Sequence, residues 1–289
     1  MSAAHTLPAV EPGHGAGLVD VLRRRYLLQL LVRKELRVRY RGSVLGLAWS
    51  YVKPAVQYVV YFLALGLFLN LREAIPDYAV YLFSGMIAVN LFSEAFGNAT
   101  RSVLNNGDLV KKIYLPRELF PVASVWVALV HFLPQLVVLM VGAVVAGWRP
   151  SAVPLLAAVV GTVIVLAMAT GLGLLFGAMN VLYRDVENFV DLLLMVVVWL
   201  SPVLYSWQRV ADFFGSGSLV LTLYQLNPIT VAVELYHWAF WYPGAGVGTD
   251  VLPPSLLWHG ALALVVSGLF VSLGQAVFRR LEGRFAQEL

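Results

Sequence analysis

Arg39, Arg41, Lys53 and Arg184 carry the groups in this chain best equipped to hold an anion beside an apolar surface. A guanidinium fork matches phosphate oxygens two at a time, and an ammonium adds a compact point charge. The same four cations also suit pairing with anionic lipids, or a bias of positive charge to one side of a membrane. A second set of chemistry-bearing groups lies inside apolar runs, where full charges are costly and default to function: Glu94, Asp191, Asn90 and Glu234. Glu94 is placed to face a pore or to pair with Arg101, and Asp191 sits near a span end where water is close. Pairing or cavity solvation explains both better than a proton relay.

Catalysis on this chain is not expected. No acid pair or His-acid constellation clusters on one loop, so no catalytic residue is assigned. His131 and His259 stand alone without a second ligand at metal spacing, so a metal site is not expected either. Cysteine is absent, which excludes disulfides and thiolate chemistry. A phosphate-cradling P-loop needs Gly-Lys-Ser/Thr, yet the four lysines precede Glu35, Pro54, Lys112 and Ile113. Any nucleotide hydrolysis must take place on another chain.

The elements that position these groups follow from composition. The 289 residues are 60% hydrophobic and 12% charged, and the mean hydropathy is +0.79. A water-soluble domain cannot hide so much apolar surface. About 20 apolar residues cross some 30 Å of hydrocarbon as a helix, and six stretches qualify: Pro54 to Leu71, Tyr78 to Gly97, Leu119 to Gly147, Val153 to Leu182, Phe189 to Trp207 and Ser255 to Phe278. Gly46 to Trp49 can extend the first, with Lys53 snorkelling to water. The expected fold is an all-α integral membrane protein with six transmembrane helices. Seventeen of the twenty Lys and Arg residues then share one side: those up to Lys53, then Arg101, Lys111, Lys112, Arg117, Arg184, Arg279, Arg280 and Arg284. Only Arg72, Arg149 and Arg209 fall opposite, so both termini are expected in the cytoplasm. This asymmetry also accounts for the pI near 9.3 without nucleic acid as a partner.

Residues 1–17, rich in Gly, Pro and Ala, read as disordered, and no cleavage pattern marks a signal peptide. Residues 18–43 mix leucines with bases and suit a helix lying on the membrane surface, its stripe formed by Leu18, Leu22, Val32 and Leu36 while Leu27 and Val38 fall away. Between spans two and three, Asn105, Asn106, Gly107 and Asp108 offer N-cap chemistry; Leu109, Val110 and Ile113 form an apolar edge; Lys111 and Lys112 complement the helix C-terminus; and Pro116 stops the helix. Such a short helix, within about 105–115, suits a groove on a partner protein, although many loops hold one without docking anything. From 208 to 253, Gly215 to Ser218, Asn227-Pro228 and Pro243-Gly244 break the chain into short helices. Those helices are expected to dip into the outer membrane face and seat Tyr236, Trp238, Phe240, Trp241 and Tyr242 at headgroup depth. Ala169, Gly173 and Gly177 form a small-residue ridge for helix packing.

The run from Lys34 to Ser50 with Pro54, Ser84-Gly85-Met86 with Asn90 and Phe92, Asn105 to Pro121, Tyr183 to Val186, Ser201 to Tyr205, and Asn227-Pro228 occur in an order that resembles the ABC-2 polysaccharide-export permeases, the Wzm and teichoic-acid translocation group. The resemblance covers nearly the whole chain from about residue 20. It implies a homodimer that binds two copies of a separate ATPase carrying Mg-ATP, with no cofactor on this chain. Residues 18–43 would be the interface helix, Asn106 to Ile113 the coupling helix, and the segments after Trp207 the gate helices. The cargo implied is a polyprenyl-diphosphate-linked polysaccharide of the O-antigen, teichoic-acid or galactan type, moved across a bacterial plasma membrane. For such a cargo, Arg39, Arg41, Lys53 and Arg184 are the diphosphate candidates. Tyr51, Tyr58, Tyr61, Phe62, Trp199 and Tyr205 are the pore-lining candidates, many of which can equally serve packing. Two alternatives remain open at this point: a proton-coupled carrier using Glu94, Asp191 or Glu234, and an exporter of the same family handling a drug or small lipid.

Overall fold

The computed structural model describes residues 17–112, 115–215, 217–247 and 251–289, apart from the side chains of Leu47 and Ala286. All but Gly17 of the tail expected to be disordered over 1–17, the apolar role of Ile113, and Ser216 and 248–250 of the expected short-helix region lie outside the described residues. Every regular element described is helical. Four helices are long and carry an apolar stretch sufficient to span a bilayer: α5 (Tyr78–Asn105), α7 (Leu119–Val145), α8 (Ala152–Leu182) and α14 (Leu256–Leu281), the last continued by a 3-10 turn to Arg284. A fifth apolar rod joins α3 (Trp49–Tyr61) to a π-helical stretch, Phe62–Phe68. With five such elements, each long and apolar enough to cross a bilayer, the chain is a multi-pass membrane protein.

Helices α5, α7, α8 and α14 pack into the core, and small residues set how closely they approach. Gly173 of α8 lies against Ala99 of α5, where an added methyl would sit 2.5 Å from the Ala99 Cβ. Gly171 of α8 meets α14 backbone to backbone, and a Cβ on Gly274 would stand 2.1 Å from the Gly171 carbonyl oxygen. In lipid, where apolar side chains gain little by leaving the solvent, such close backbone contact carries helix association. The α3 rod is different. It leaves Val52, Val56, Val59, Val60 and Leu63 exposed and is hardly buried at all.

The fifth predicted span, Phe189 to Trp207, is not one helix. Helix α9 covers only Val186–Val197, and the chain continues as turns to Tyr205. It nevertheless rises along α5. Asp191 meets Arg101, Leu194 meets Gly97, Val203 meets Gly85, and Pro202 meets Tyr81. The break follows from Pro202, which has no N–H and whose ring disfavours a helical Ser201. Carbonyls freed inside a bilayer need donors, and hydroxyls supply them: Thr230 to Leu200, Tyr81 to both Pro202 and Tyr205, and Tyr78 to Leu204.

Beyond it lie α10 (Trp207–Phe214), α11 (Leu219–Leu226) and α12 (Pro228–Tyr236). The last runs through a π-helical stretch, His237–Trp241, into α13 (Tyr242–Ala245). Asn227 caps α12 by accepting from the Ile229 N–H, and the chain bends by 69° between α11 and α12–α13. The expected short helices are present, but the aromatic run does not form an interfacial belt. Tyr236, Phe240 and Trp241 are buried in the core. The Trp241 and Trp148 indoles donate to the Pro76 and Ala239 carbonyls, so the π-helical continuation of α12 is packed among α5, α7 and α8.

At the other end of the bundle the chain's two described ends and its short central helix converge. Helix α1 (Leu18–Arg23) and α2 (Arg25–Arg39) pack with α6 (Gly107–Lys112) and α15 (Phe285–Glu288) around Val21, Leu31, Val110, Phe278 and Phe285. The expected single helix of 18–43 is broken at Arg24, which resets the periodicity. Leu22, expected inside, is therefore exposed, and Val21, Leu28 and Leu31 turn inward. A four-residue helix, α4 (Leu71–Ala74), closes the opposite end between the α3 rod and α5.

Candidate functional site

Because α3 stands off from α5 and α7, two adjoining cavities open along it. The first, about 610 Å³, is polar: it is lined by Arg39 and Tyr40 at the end of α2, Lys53 and Gln57 on α3, Asn90, Ser93 and Glu94 on α5, and His131 and Gln135 on α7. The second, about 580 Å³, shares Pro54 and Gln135 with the first and is apolar, walled by Tyr51, Tyr58, Val80, Phe83, Val138 and Leu139. A charged mouth thus adjoins a greasy groove.

One hydrogen-bonded chain organises the polar cavity. Arg39 Nη1 donates to Glu94 Oε1 at 2.8 Å, and the same oxygen lies 2.6 Å from His131 Nδ1. On the other side of the ring, His131 Nε2 lies 3.0 Å from the Tyr40 hydroxyl. The two ring nitrogens of His131 are thus both engaged, Nδ1 with the Glu94 carboxylate and Nε2 with the Tyr40 hydroxyl. Glu94 therefore pairs with Arg39 and His131 and not with Arg101. Arg101 instead holds Asp191 at 2.5 Å and Glu187 at 3.6 Å. His131 is no isolated packing group, though nothing in its spacing announces a partner 37 residues away.

Of the four anion-binding candidates, Arg39 and Lys53 line the polar cavity. Arg41 and Arg184 are exposed and do not. The aromatic candidates also divide. Tyr51 and Tyr58 face the apolar cavity, while Tyr61 accepts a hydrogen bond from the Gln57 amide. Phe62 stacks between Tyr58 and Tyr78, with centroids at 6.1 and 6.4 Å. Trp199 is exposed, and its carbonyl accepts from the Tyr205 hydroxyl. At the join of α12 and its π-helical continuation, Glu234 lies buried 3.6 Å from His237, whose ring stacks on Tyr81 at 3.8 Å.

The central helix α6 differs from its sequence reading in two ways. Asn106 does not cap it: the side chain donates to the Ser102 carbonyl and accepts from Lys34 of α2 at 2.5 Å. The apolar edge faces the bundle, with Val110 buried and Leu109 half-buried, so the outward surface is formed by Asp108, Lys111 and Lys112. Gly107 lies beside the C-terminal Leu289.

Between these two regions, Glu35 of α2 accepts from Ser124 of α7, and burial pushes its carboxyl above the ordinary 4.5 despite the nearby Arg39 and Lys34. A raised carboxyl pKa means that the fold prefers the protonated acid. The stability Glu35 contributes is full below pH 4.5 and is lost as pH rises through the folded value. Glu35→Gln is expected to raise the unfolding temperature in detergent by about 1–3 °C at neutral pH. Thermal scans on the variant and parent should converge in acid.

Residues 26–241, three-quarters of the chain, match the ABC-2 type transporter family. The chain is an ABC-2 type transporter protein. Among curated relatives, an O-antigen export system permease protein RfbA of Klebsiella pneumoniae is 30% identical over 272 residues, covering 91% of this chain and 96% of its own. The protein of that name from Myxococcus xanthus is 30% identical over 223 residues, covering 77% and 83%. Within this ABC-2 protein the matched residues include α2 from Tyr26, both cavities, α6, and α12 with its π-helical continuation as far as Trp241.

Proposed function

We propose that this chain is the transmembrane subunit of an ATP-driven exporter that moves a polyprenyl-diphosphate-linked polysaccharide outward across the bacterial plasma membrane. Two copies form the pathway, and two copies of a separate ATPase bind Mg-ATP and dock on α6. Seventeen of twenty cations fall on the side of the α6 end, where the chain's two described ends also pack, which favours a cytoplasmic placement for that end. The names of the relatives support a polysaccharide cargo.

The observation that carries the reading is the junction of the two cavities. Arg39 and Lys53 can take a diphosphate, and the adjoining apolar groove can take the first isoprene units of its lipid. A charge-assisted hydrogen bond contributes roughly 1.5–3 kcal/mol, or about tenfold or more in affinity. With the companion ATPase in proteoliposomes, the Arg39→Gln/Lys53→Gln pair is expected to lower export of lipid-linked glycan about a hundredfold at limiting substrate. Arg149→Gln, at the opposite end of α7, should leave it unchanged. Parent-level export by a correctly inserted double variant would remove the cavity from the pathway.

A further inference from the structure

The polar cavity holds a carboxylate where an anion site should have none. Glu94 occupies the very guanidinium that the proposed function assigns to substrate, so the question is what an acid does inside an anion site. Three features of the pair answer it. Both partners are partly open to solvent, with Arg39 and Glu94 side chains 36% and 27% exposed, and such a pair is weak. A diphosphate offers the guanidinium two or more oxygens in fork geometry, which is the stronger contact. Most telling, Glu94 Oε1 is shared between Arg39 and the buried His131, so losing Arg39 does not orphan the carboxylate.

We propose that Glu94 is an exchangeable counter-anion that sets the charge threshold of this site. It holds Arg39 until a diphosphate arrives, then yields the guanidinium and stays on His131, which Tyr40 fixes from behind. While Glu94 is in place, Lys53 is, among the described residues, the cation of this cavity without an acidic partner, and a lone ammonium open to water holds a monoanion only weakly. A phosphodiester headgroup of an ordinary phospholipid is a monoanion and gains too little from Lys53 alone to displace Glu94. A diphosphate engages both cations. The acid thus rejects the abundant competitor at some cost in affinity for the ligand, which is how specificity against a near relative is usually built. This inference rests on the cavity being the diphosphate site and adds the residue that selects its ligand.

The test uses the full-length chain in nanodiscs, with farnesyl diphosphate and inorganic pyrophosphate as probes. Glu94→Gln keeps the shape and an oxygen for His131 while removing the charge. It is expected to bind both probes about fivefold more tightly than the parent, and phosphatidylglycerol added to the disc should compete in the variant only. Glu94→Asp, which retains the charge, should show neither the tightening nor the competition by phosphatidylglycerol. A merely structural role predicts the opposite sign, because damage weakens binding. Equal or weaker binding by Glu94→Gln, with Arg39→Gln also weakened, overturns the counter-anion and leaves the diphosphate site standing. Tightening for farnesyl diphosphate but not for pyrophosphate puts the effect on the lipid tail and overturns the exchange as well. Unchanged binding of both probes by Arg39→Gln instead removes the site on which the inference rests.

Discussion

Gly274→Leu is expected to abolish accumulation of folded protein in the membrane. A Cβ at this position would lie 2.1 Å from the Gly171 carbonyl oxygen and 3.0 Å from the carbonyl carbon, both backbone atoms of α8. No rotamer change in a neighbour can relieve that overlap, so the two helices must separate along their contact. Overpacking where side chains can adjust costs about 1–3 kcal/mol. Here the obstacle is main chain, and the expected cost lies at or above that upper end, a large part of the roughly 5–15 kcal/mol that holds a typical fold. The loss would also spread, because α8 holds α14, α5 and α12 together. Fluorescence-detected size exclusion after detergent extraction reads the outcome: a monodisperse peak for the parent and aggregate or nothing for the variant. Gly268→Ala on the same helix provides the contrast. Its added methyl meets nothing within 4 Å, so the variant should match the parent or gain slightly from helix propensity. A monodisperse Gly274→Leu protein would mean that the α8–α14 crossing does not limit stability.

How much of this was legible in the residues depends on whether the deciding interaction is local. Helices α5, α7, α8 and α14 were, because a run of 18 or more apolar residues has few other fates. The ridge of Ala169, Gly173 and Gly177 likewise marked where α8 could approach another backbone, and Gly173 does meet Ala99. The span from Phe189 to Trp207 was misread for a physical reason. Hydropathy measures side chains, whereas Pro202 breaks a helix through the backbone, and the break survives only because Tyr78, Tyr81 and Thr230 donate to the freed carbonyls. The rings of Tyr236, Phe240 and Trp241 looked interfacial because composition does not distinguish a belt from a core. Glu94 was visible as an unusual acid, but its partner was not. Arg101 lies seven residues along the same helix, while the true partner Arg39 is 55 residues away on a different one. Long-range pairing of this kind leaves no periodic trace.

If a companion ATPase docks on α6 as proposed, reversing Lys111 and Lys112 together to glutamate is expected to uncouple the chain from it while leaving insertion and folding intact. The choice of residues follows from how α6 sits. An apolar change such as Leu109→Asp would strike a side chain already packed against the bundle, beside buried Val110, and would confuse docking with folding. The two lysines, by contrast, are exposed at the C-terminal end of a helix whose dipole favours cations there, so glutamates reverse the surface charge at small cost to the core. A partner surface matched to two cations meets two anions instead, and like-charge contacts across an interface cost several kcal/mol, on the order of a hundredfold or more in affinity. Uncoupling should also reach the substrate end. Asn106, at the head of α6, holds Lys34 of α2, and Arg39 of that same helix holds Glu94 in the polar cavity, so α2 ties the exposed turn to the cavity through two contacts five residues apart. Co-purification of the ATPase with tagged full-length chain should fall to a few per cent of parent, along with lipid-stimulated ATP turnover, while the size-exclusion profile of the isolated chain stays unchanged. Retained ATPase and normal turnover in the double variant would move the docking surface away from α6.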